Sequence, residues 1–136
     1  MKRLHVALNV TDLETSIRFY STLFDTEPTT RKPDYAKWML DNPRVNFAIS
    51  TGSSSKGIEH LGIETDDPAE LVAQRSRIAE AGLAYFDEGN TICCYHESDK
   101  LWVSDPESVA WEIFHTYGTA EVMHGQPSSC CEPDCC

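Results

Sequence analysis

Apolar and polar side chains alternate along the start of the chain, as they do in a strand that is buried on one face. The segment Leu4–Val10 has one apolar face that can pack on a helix, and a second, small and polar face that carries His5. The segment Gly57–Thr65 repeats this layout with His60 on its polar face. The pattern therefore predicts two equivalent strands, each presenting one histidine.

A helix is predicted after each of these strands. Thr11 is the expected N-cap of the first helix, and Asp67, followed by Pro68, is the expected N-cap of the second. Gly82 is the expected end of the second helix. The residues expected to face the core are Leu13, Ile17, Tyr20 and Phe24 in the first helix, and Leu71, Val72, Ile78 and Ala79 in the second.

Two further segments show that the chain contains one unit twice. "WMLDNPRVNFAI" from Trp38 and "WVSDPESVAWEI" from Trp102 match at one constant offset. With three short strands after each helix, the order is βαβββ repeated, which is an α+β fold. We predict one domain over residues 1–117, with one module at about 2–52 and the other at about 57–117. Residues 118–136 are predicted to be a flexible, Cys-rich tail.

The net charge and the length of the apolar runs argue against several classes of partner and location. The chain has 136 residues, with 22 acidic and 11 basic residues and a formal net charge of −11. Nucleic acids and anionic membranes are therefore unexpected partners. No apolar run approaches the ~20 residues of a membrane span. The first residues do not resemble a signal peptide, so we expect a cytoplasmic protein.

His5, His60 and Glu112 are the candidate metal ligands. The duplication places the histidines at equivalent positions, and Glu112 lies in the apolar "VAWEIF", where an ionised carboxylate is costly unless it is paired or metal-bound. A structural role for the histidines and an outward-facing Glu112 are the alternatives. Two imidazoles and one carboxylate leave open positions on an Fe(II) ion, as oxygen-activating sites require. Ala48 occupies the position equivalent to Glu112 and cannot ligate a metal.

Cys93 and Cys94 are adjacent in a segment that otherwise has the pattern of a strand. Neighbouring strand residues point to opposite faces, so both thiols can reach one atom only if the backbone forms a loop or bulge there. Two adjacent thiolates suit a soft centre such as trivalent arsenic or a heavy divalent metal. Ordinary strand cysteines are the alternative, and His96 and Glu97 are predicted to be polar loop residues.

The paired βαβββ chain resembles the vicinal oxygen chelate superfamily, in which two modules form a half-open, barrel-like sheet around a metal site. The motifs "LHVALNV", "EHLGIET", "CCY", "KLWVSDPE" and "WEIFHTYG", with a Cys-rich C-terminus, resemble the ArsI-type carbon–arsenic lyases and the related cadmium-induced proteins. The resemblance implies Fe(II) held by His5, His60 and Glu112, and arsenic bound by Cys93 and Cys94. It also implies O₂ as co-substrate.

The implied reaction is cleavage of the carbon–arsenic bond of a trivalent organoarsenical, such as methylarsenite or a reduced aromatic arsenical, to give arsenite. The terminal thiols, at Cys130, Cys131, Cys135 and Cys136, are expected to capture arsenicals without taking part in bond cleavage. Two alternatives stay open: a non-catalytic cadmium- or arsenic-binding resistance protein, and an Fe(II) extradiol-type dioxygenase. The expected assembly is a monomer or a homodimer.

Overall fold

The computed structural model describes residues 1–119, 121 and 124–125. Its two helices are α1 (Leu13–Phe24) and α2 (Pro68–Glu80). The strands are β1 (Arg3–Asn9), β2 (Thr30–Lys32), β3 (Tyr35–Asp41), β4 (Arg44–Ser50), β5 (Gly57–Glu64), β6 (Tyr85–Cys93), β7 (His96–Ser104), β8 (Ala110–Thr119) and β9 (His124–Gly125). The α+β class and the repeated βαβββ order are therefore confirmed.

The chain divides into two compact units. The N-terminal unit comprises Lys2–Ile63, and the C-terminal unit comprises Met1 and the chain from Glu64 onward. Strand β5 opens the second sequence repeat, but nearly all of it belongs to the N-terminal unit. Both histidines of the sequence prediction consequently lie in the N-terminal unit, whereas Glu112 and the two adjacent cysteines lie in the C-terminal unit.

The N-terminal unit is a sheet with the strand order β2-β3-β4-β1-β5 and one helix. Strand β1 runs parallel to β4, so that His5 pairs with Asn46 and Ala7 with Ala48. Trp38, which is fully buried, lies at the centre of the core and donates its indole N–H to the carbonyl of Thr26 at 3.1 Å. The predicted stripe of α1 packs into this core, with Leu13 and Ile17 buried and Tyr20 and Phe24 beside them.

The first helix begins one residue later than predicted. Asp12, and not Thr11, is the N-cap: its carboxylate accepts the backbone N–H of Thr15 at 3.1 Å. Hydrogen bonds from the backbone and the side chain of Thr15 lower the pKa of Asp12. At the other end Asp25 adopts a left-handed conformation, and its N–H donates to the carbonyls of Ser21 and Thr22. Both ends of α1 thus satisfy backbone groups that would otherwise lack partners.

The second helix follows its prediction closely at both ends. The Asp67 carboxylate accepts the N–H of Glu70 at 2.9 Å, and Pro68 occupies the first turn. Gly82, with φ of +73°, follows the end of the helix. The predicted core stripe is correct for Leu71 and Ile78 but wrong for Val72, which is 56% exposed, and for Ala79, which is exposed. Each follows a buried residue directly, and one residue turns the side chain about 100° around the helix axis.

The C-terminal unit contains the strand order β8-β7-β6-β9. Leu71 and Ile78 of α2 pack on Leu101 and Ile113, which lie on one face of this sheet. The register of β6 against β7 shifts between Asp87 and Gly89, which marks a β-bulge. None of the described residues belongs to a helix with the length and apolar character needed to cross a bilayer.

The region predicted as a tail is described only in part. Strand β8 continues to Thr119, and in β9 His124 pairs with Cys93 and Gly125 pairs with Ile92. The four terminal cysteines, Cys130, Cys131, Cys135 and Cys136, lie outside the described residues. Their predicted role as capture thiols stays a prediction.

Candidate functional site

Two histidines meet edge to edge in the N-terminal unit. His5, from β1, and His60, from β5, place their Nε2 atoms 3.1 Å apart. The His5 Nδ1 lies 3.2 Å from the backbone carbonyl oxygen of Asn46, its partner across the β1–β4 ladder. Because a carbonyl oxygen only accepts, Nδ1 carries the proton in this contact. In the neutral tautomer that carries this proton, the unprotonated Nε2 of His5 faces His60.

The histidine pair fits a divalent metal. Metal-binding histidines commonly donate the far ring N–H to a backbone carbonyl, which fixes the tautomer and the ring orientation. His5 does this through Asn46, and its side chain is buried. Without a cation, the Nε2 contact is a hydrogen bond that requires one ring to donate. The two nitrogens are close enough to serve as neighbouring ligands of one ion.

The two adjacent thiols lie at a hairpin turn. Cys93 ends β6 and pairs with His96, the first residue of β7, so the turn has two central residues, Cys94 and Tyr95. Their φ angles are 56° and 63°, and two consecutive positive values are the signature of a type I′ turn. The Sγ atoms lie 3.4 Å apart. The predicted departure from strand geometry at the Cys pair is confirmed.

His96 and Glu97 are not loop residues as predicted. Both belong to β7, and His96 is buried. The His96 Nδ1 lies 2.7 Å from the carbonyl oxygen of Cys94, so the ring donates to the turn that carries the thiols. The sequence prediction failed here because the tight two-residue turn lets β7 begin directly after Tyr95.

Glu112 is buried in β8 of the C-terminal unit, as the sequence predicted. Its Oε1 lies 3.5 Å from the Nζ of Lys100, and both side chains are nearly inaccessible, at 7% and 4% exposure. Burial alone would lower the pKa of Lys100, but the Glu112 carboxylate and nearby acidic groups raise it above its ordinary value. Lys100 therefore stays a cation. Sequence reasoning assigned no role to this lysine.

The environment of the thiols disfavours the thiolate form of Cys94. The hydrogen bond to Cys93 and burial raise the pKa of Cys94, and the charge of Glu112 adds to the increase. Lys100 acts in the opposite direction. The thiol pair, Glu112 and Lys100 are thus electrostatically linked within the C-terminal unit.

Solved structures share the fold at low sequence identity. The Mn(II)-bound glyoxalase from Novosphingobium aromaticivorans aligns with a TM-score of 0.62 and 16% identity over 88% of this chain and 42% of that one. An extradiol ring-cleaving dioxygenase from B. fuscum aligns with a TM-score of 0.64 and 18% identity over 88% of this chain and 34% of that one. These likenesses show the fold alone.

Curated relatives are much closer in sequence. A trivalent organoarsenical cleaving enzyme from Bacillus sp. (strain MD1) is 45% identical over 100% of this chain and 91% of its own length. A second enzyme of that name, from Thermomonospora curvata, is 38% identical over 98% and 90%. The cadmium-induced protein CadI of Mycobacterium tuberculosis is 36% identical over 97% and 94%.

Residues 2–113 match the glyoxalase/bleomycin resistance protein/dioxygenase superfamily. The paired βαβββ topology agrees with that match. The similarity to the curated relatives extends over the whole chain. The chain belongs to this superfamily and, within it, to the family of the trivalent organoarsenical cleaving enzymes and the cadmium-induced protein CadI.

Proposed function

We propose that this protein cleaves the carbon–arsenic bond of trivalent organoarsenicals in a reaction that requires Fe(II) and O₂ and gives arsenite. The observation that carries the proposal is the thiol turn, in which the Cys93 and Cys94 Sγ atoms lie 3.4 Å apart. A carbon substrate gives no use for such a pair, whereas one arsenic atom can bond both sulfurs. Relatives that carry the name organoarsenical cleaving enzyme add independent support.

His5, His60 and Glu112 are the proposed Fe(II) ligands. The support is the fixed tautomer of His5, the 3.1 Å approach of the two Nε2 atoms and the burial of the Glu112 carboxylate. Glu112 is assigned from its sequence position and its family resemblance. When bound, the iron would supply the oxygen activation that protein side chains lack.

The thiols bind and orient the substrate. Each cysteine S–H reacts with one As–OH group of the hydrated arsenical, so that an As–S bond forms while the hydroxide leaves with the thiol proton as water. Arsenic stays trivalent, and two waters leave for two bonds formed. Holding the arsenic at a fixed point raises the effective concentration of its organic group at the reacting centre. Methylarsenite and reduced aromatic arsenicals are the proposed substrates, and pentavalent arsenicals should fail because they lack this thiol affinity.

Anaerobic reconstitution with Fe(II), followed by methylarsenite and air, tests the reaction through arsenic speciation. Arsenite should appear only when protein, Fe(II) and O₂ are all present. The matched controls are Cys94→Ser with Fe(II), and wild-type protein loaded with Zn(II). Arsenite release by the Zn(II) protein, or no arsenite from the complete system, would contradict the proposal.

Sequestration without catalysis is the second candidate, favoured by the 36% identity to CadI. It predicts stoichiometric retention of cadmium or arsenic and no chemical change in the bound species. Measuring the number of arsenic atoms released as arsenite per protein separates the two candidates. Many turnovers support the lyase, whereas a single retained equivalent supports sequestration.

The terminal cysteines belong to the proposal as capture thiols. Replacing Cys130, Cys131, Cys135 and Cys136 with serine should leave the rate at saturating arsenical unchanged and slow the reaction only when arsenical is scarce. A collapse of the saturated rate would show that these thiols take part in bond cleavage.

A further inference from the structure

Lys100 is a buried cation that the proposed reaction leaves unexplained. Its side chain is only 4% exposed, and it lies in β7 between the two elements that carry the proposed chemistry. A buried lysine is costly unless its charge is compensated. Its ion-pair partner is Glu112, and Cys93, Glu88 and Cys94 act on the pKa of Lys100 in the same direction as Glu112.

The strand register accounts for the position of Lys100. Lys100 pairs with Gly89 of β6 and with Phe114 of β8. Trp102, two residues further along β7, pairs with Glu112. Residues paired across a sheet share a face, and so do residues two apart in a strand. Lys100 and Glu112 therefore lie diagonally on one face. The bulge at Asp87–Gly89 places Gly89 directly opposite the lysine.

We propose that Lys100 is a positioning residue. It engages the Oε1 atom of Glu112, so that the other carboxylate oxygen faces the metal, and its positive charge acts on the Cys93–Cys94 thiols. The inference rests on the proposed function for the identity of the metal and the substrate. Its observations, however, all lie within the C-terminal unit: the 3.5 Å contact, the burial of both partners and their common sheet face. That face also carries Cys93, because Cys93 pairs with His96, four residues before Lys100 in β7.

Two separate effects follow from this arrangement. A neighbour that orients a metal ligand typically contributes a factor of about 10–100 to metal affinity. A cation near a thiol stabilises the thiolate, which is the species that attacks arsenic. Lys100 should therefore influence both metal binding and arsenical capture, although it binds neither the metal nor the arsenical itself.

The test compares Lys100→Gln and Lys100→Arg with Ser98→Ala in the full-length protein. Ser98 is a matched control because it is buried on the same face of β7, two residues from Lys100, and carries no charge. The readouts are the visible spectrum and affinity of bound Co(II), and the rate of capture of phenylarsine oxide without O₂. Thermal melting verifies that each variant is folded.

Lys100→Gln should weaken Co(II) binding by about tenfold and alter its spectrum, because Glu112 loses the partner of its Oε1. Capture should slow by about tenfold, because the thiolate loses a nearby cation that stabilises it. Lys100→Arg should restore most of the capture rate, and Ser98→Ala should match wild type. A Lys100→Gln protein with the wild-type spectrum and capture rate would overturn the proposal.

If Lys100→Gln alone does not fold, two variants that lack the charge of Glu112 replace it in the test. Glu112→Gln and the double variant Glu112→Gln/Lys100→Gln are compared in the absence of metal. The double variant should capture phenylarsine oxide more slowly than Glu112→Gln, and equal rates would exclude an effect of Lys100 on the thiols. Because neither capture nor Co(II) binding requires turnover, failure of the lyase proposal would leave these outcomes intact and distinguishable.

Discussion

The two βαβββ copies build the same hairpin with very different turns. In the first copy, β2 has three residues, and the two-residue turn to β3 is Pro33-Asp34. In the second copy, β6 has nine residues, and the two-residue turn to β7 is Cys94-Tyr95. The second copy thus has a longer hairpin with a thiol pair at its turn, whereas the hairpin of the first copy is short.

The two copies also differ in their buried carboxylate and in the composition of their cores. Each copy carries one histidine on its first strand, but only the second carries a buried carboxylate, since Ala48 stands where the repeat has Glu112. The core of the N-terminal unit is rich in aromatic rings, with Tyr20 and Phe47 centroids 4.6 Å apart, whereas the core of the C-terminal unit is aliphatic. The two copies thus share the histidine position, whereas the groups that we propose recognise arsenic belong to the second copy alone.

The largest effect is expected at the position where the first copy carries Ala48 and the second carries Glu112. Glu112→Ala should lower Fe(II)-dependent turnover by more than about a hundredfold, because losing a ligand exceeds the 10–100-fold loss typical of outer partners. Ala48→Ser, at the equivalent position of the first copy, should retain turnover. Initial rates of arsenite release measure both, and near-normal activity of Glu112→Ala would remove it from the ligand set.

The two turns are expected to differ in arsenical affinity. Cys93→Ser or Cys94→Ser should weaken arsenical binding by about 10²–10⁴, since the second As–S bond forms within one molecule. The iron content should not change. Asp34→Ala, in the turn of the first copy, is the matched control and should bind like wild type. Iron and arsenical are quantified on one sample; iron loss in both cysteine variants would instead identify the thiols as metal ligands.

The contrast between the two cores predicts a difference in stability. Trp38→Ala should reduce the free energy of unfolding by about 3–5 kcal/mol, because it removes a fully buried ring and leaves a cavity. Ile113→Val, in the aliphatic core, should cost about 0.5–1.5 kcal/mol. Urea unfolding measures both variants. Equal losses would mean that burial of the whole Trp38 ring contributes no more to stability than one methylene group of Ile113.

The smallest expected effect concerns the two helix caps. Because hydrogen bonds lower the pKa of Asp12, its stabilisation is present above the ordinary aspartate pKa and is lost as pH falls through the lowered value. Asp12→Ala should therefore lower the melting temperature at neutral pH, and the difference from wild type should shrink in acid. Asp67→Ala is the matched change at α2. A deficit in Asp12→Ala that is independent of pH would exclude a role for the ionised carboxylate.

Local signals made the βαβββ order, the histidine strands and the departure at Cys93–Cys94 predictable. Two adjacent residues at the start of α1, Thr11 and Asp12, can both cap a helix, and the backbone conformation decides between them. The turn type was not predictable, because type I′ turns favour Asn-Gly and not Cys-Tyr. Lys100 was missed for a nonlocal reason: a strand lysine is usually exposed, and its charge is compensated by Glu112, which lies in a different strand.

The left-handed turn at Cys94 and Tyr95 has an entropic consequence. Non-glycine residues seldom adopt this conformation, so the rest of the hairpin must enforce it, helped by the hydrogen bond from His96 to Cys94. The conformational entropy needed to bring the sulfurs together is therefore lost during folding and not when arsenic arrives. Such preorganisation should favour ions that bridge two sulfurs at short separation over those that require a wider or multidentate thiol cage.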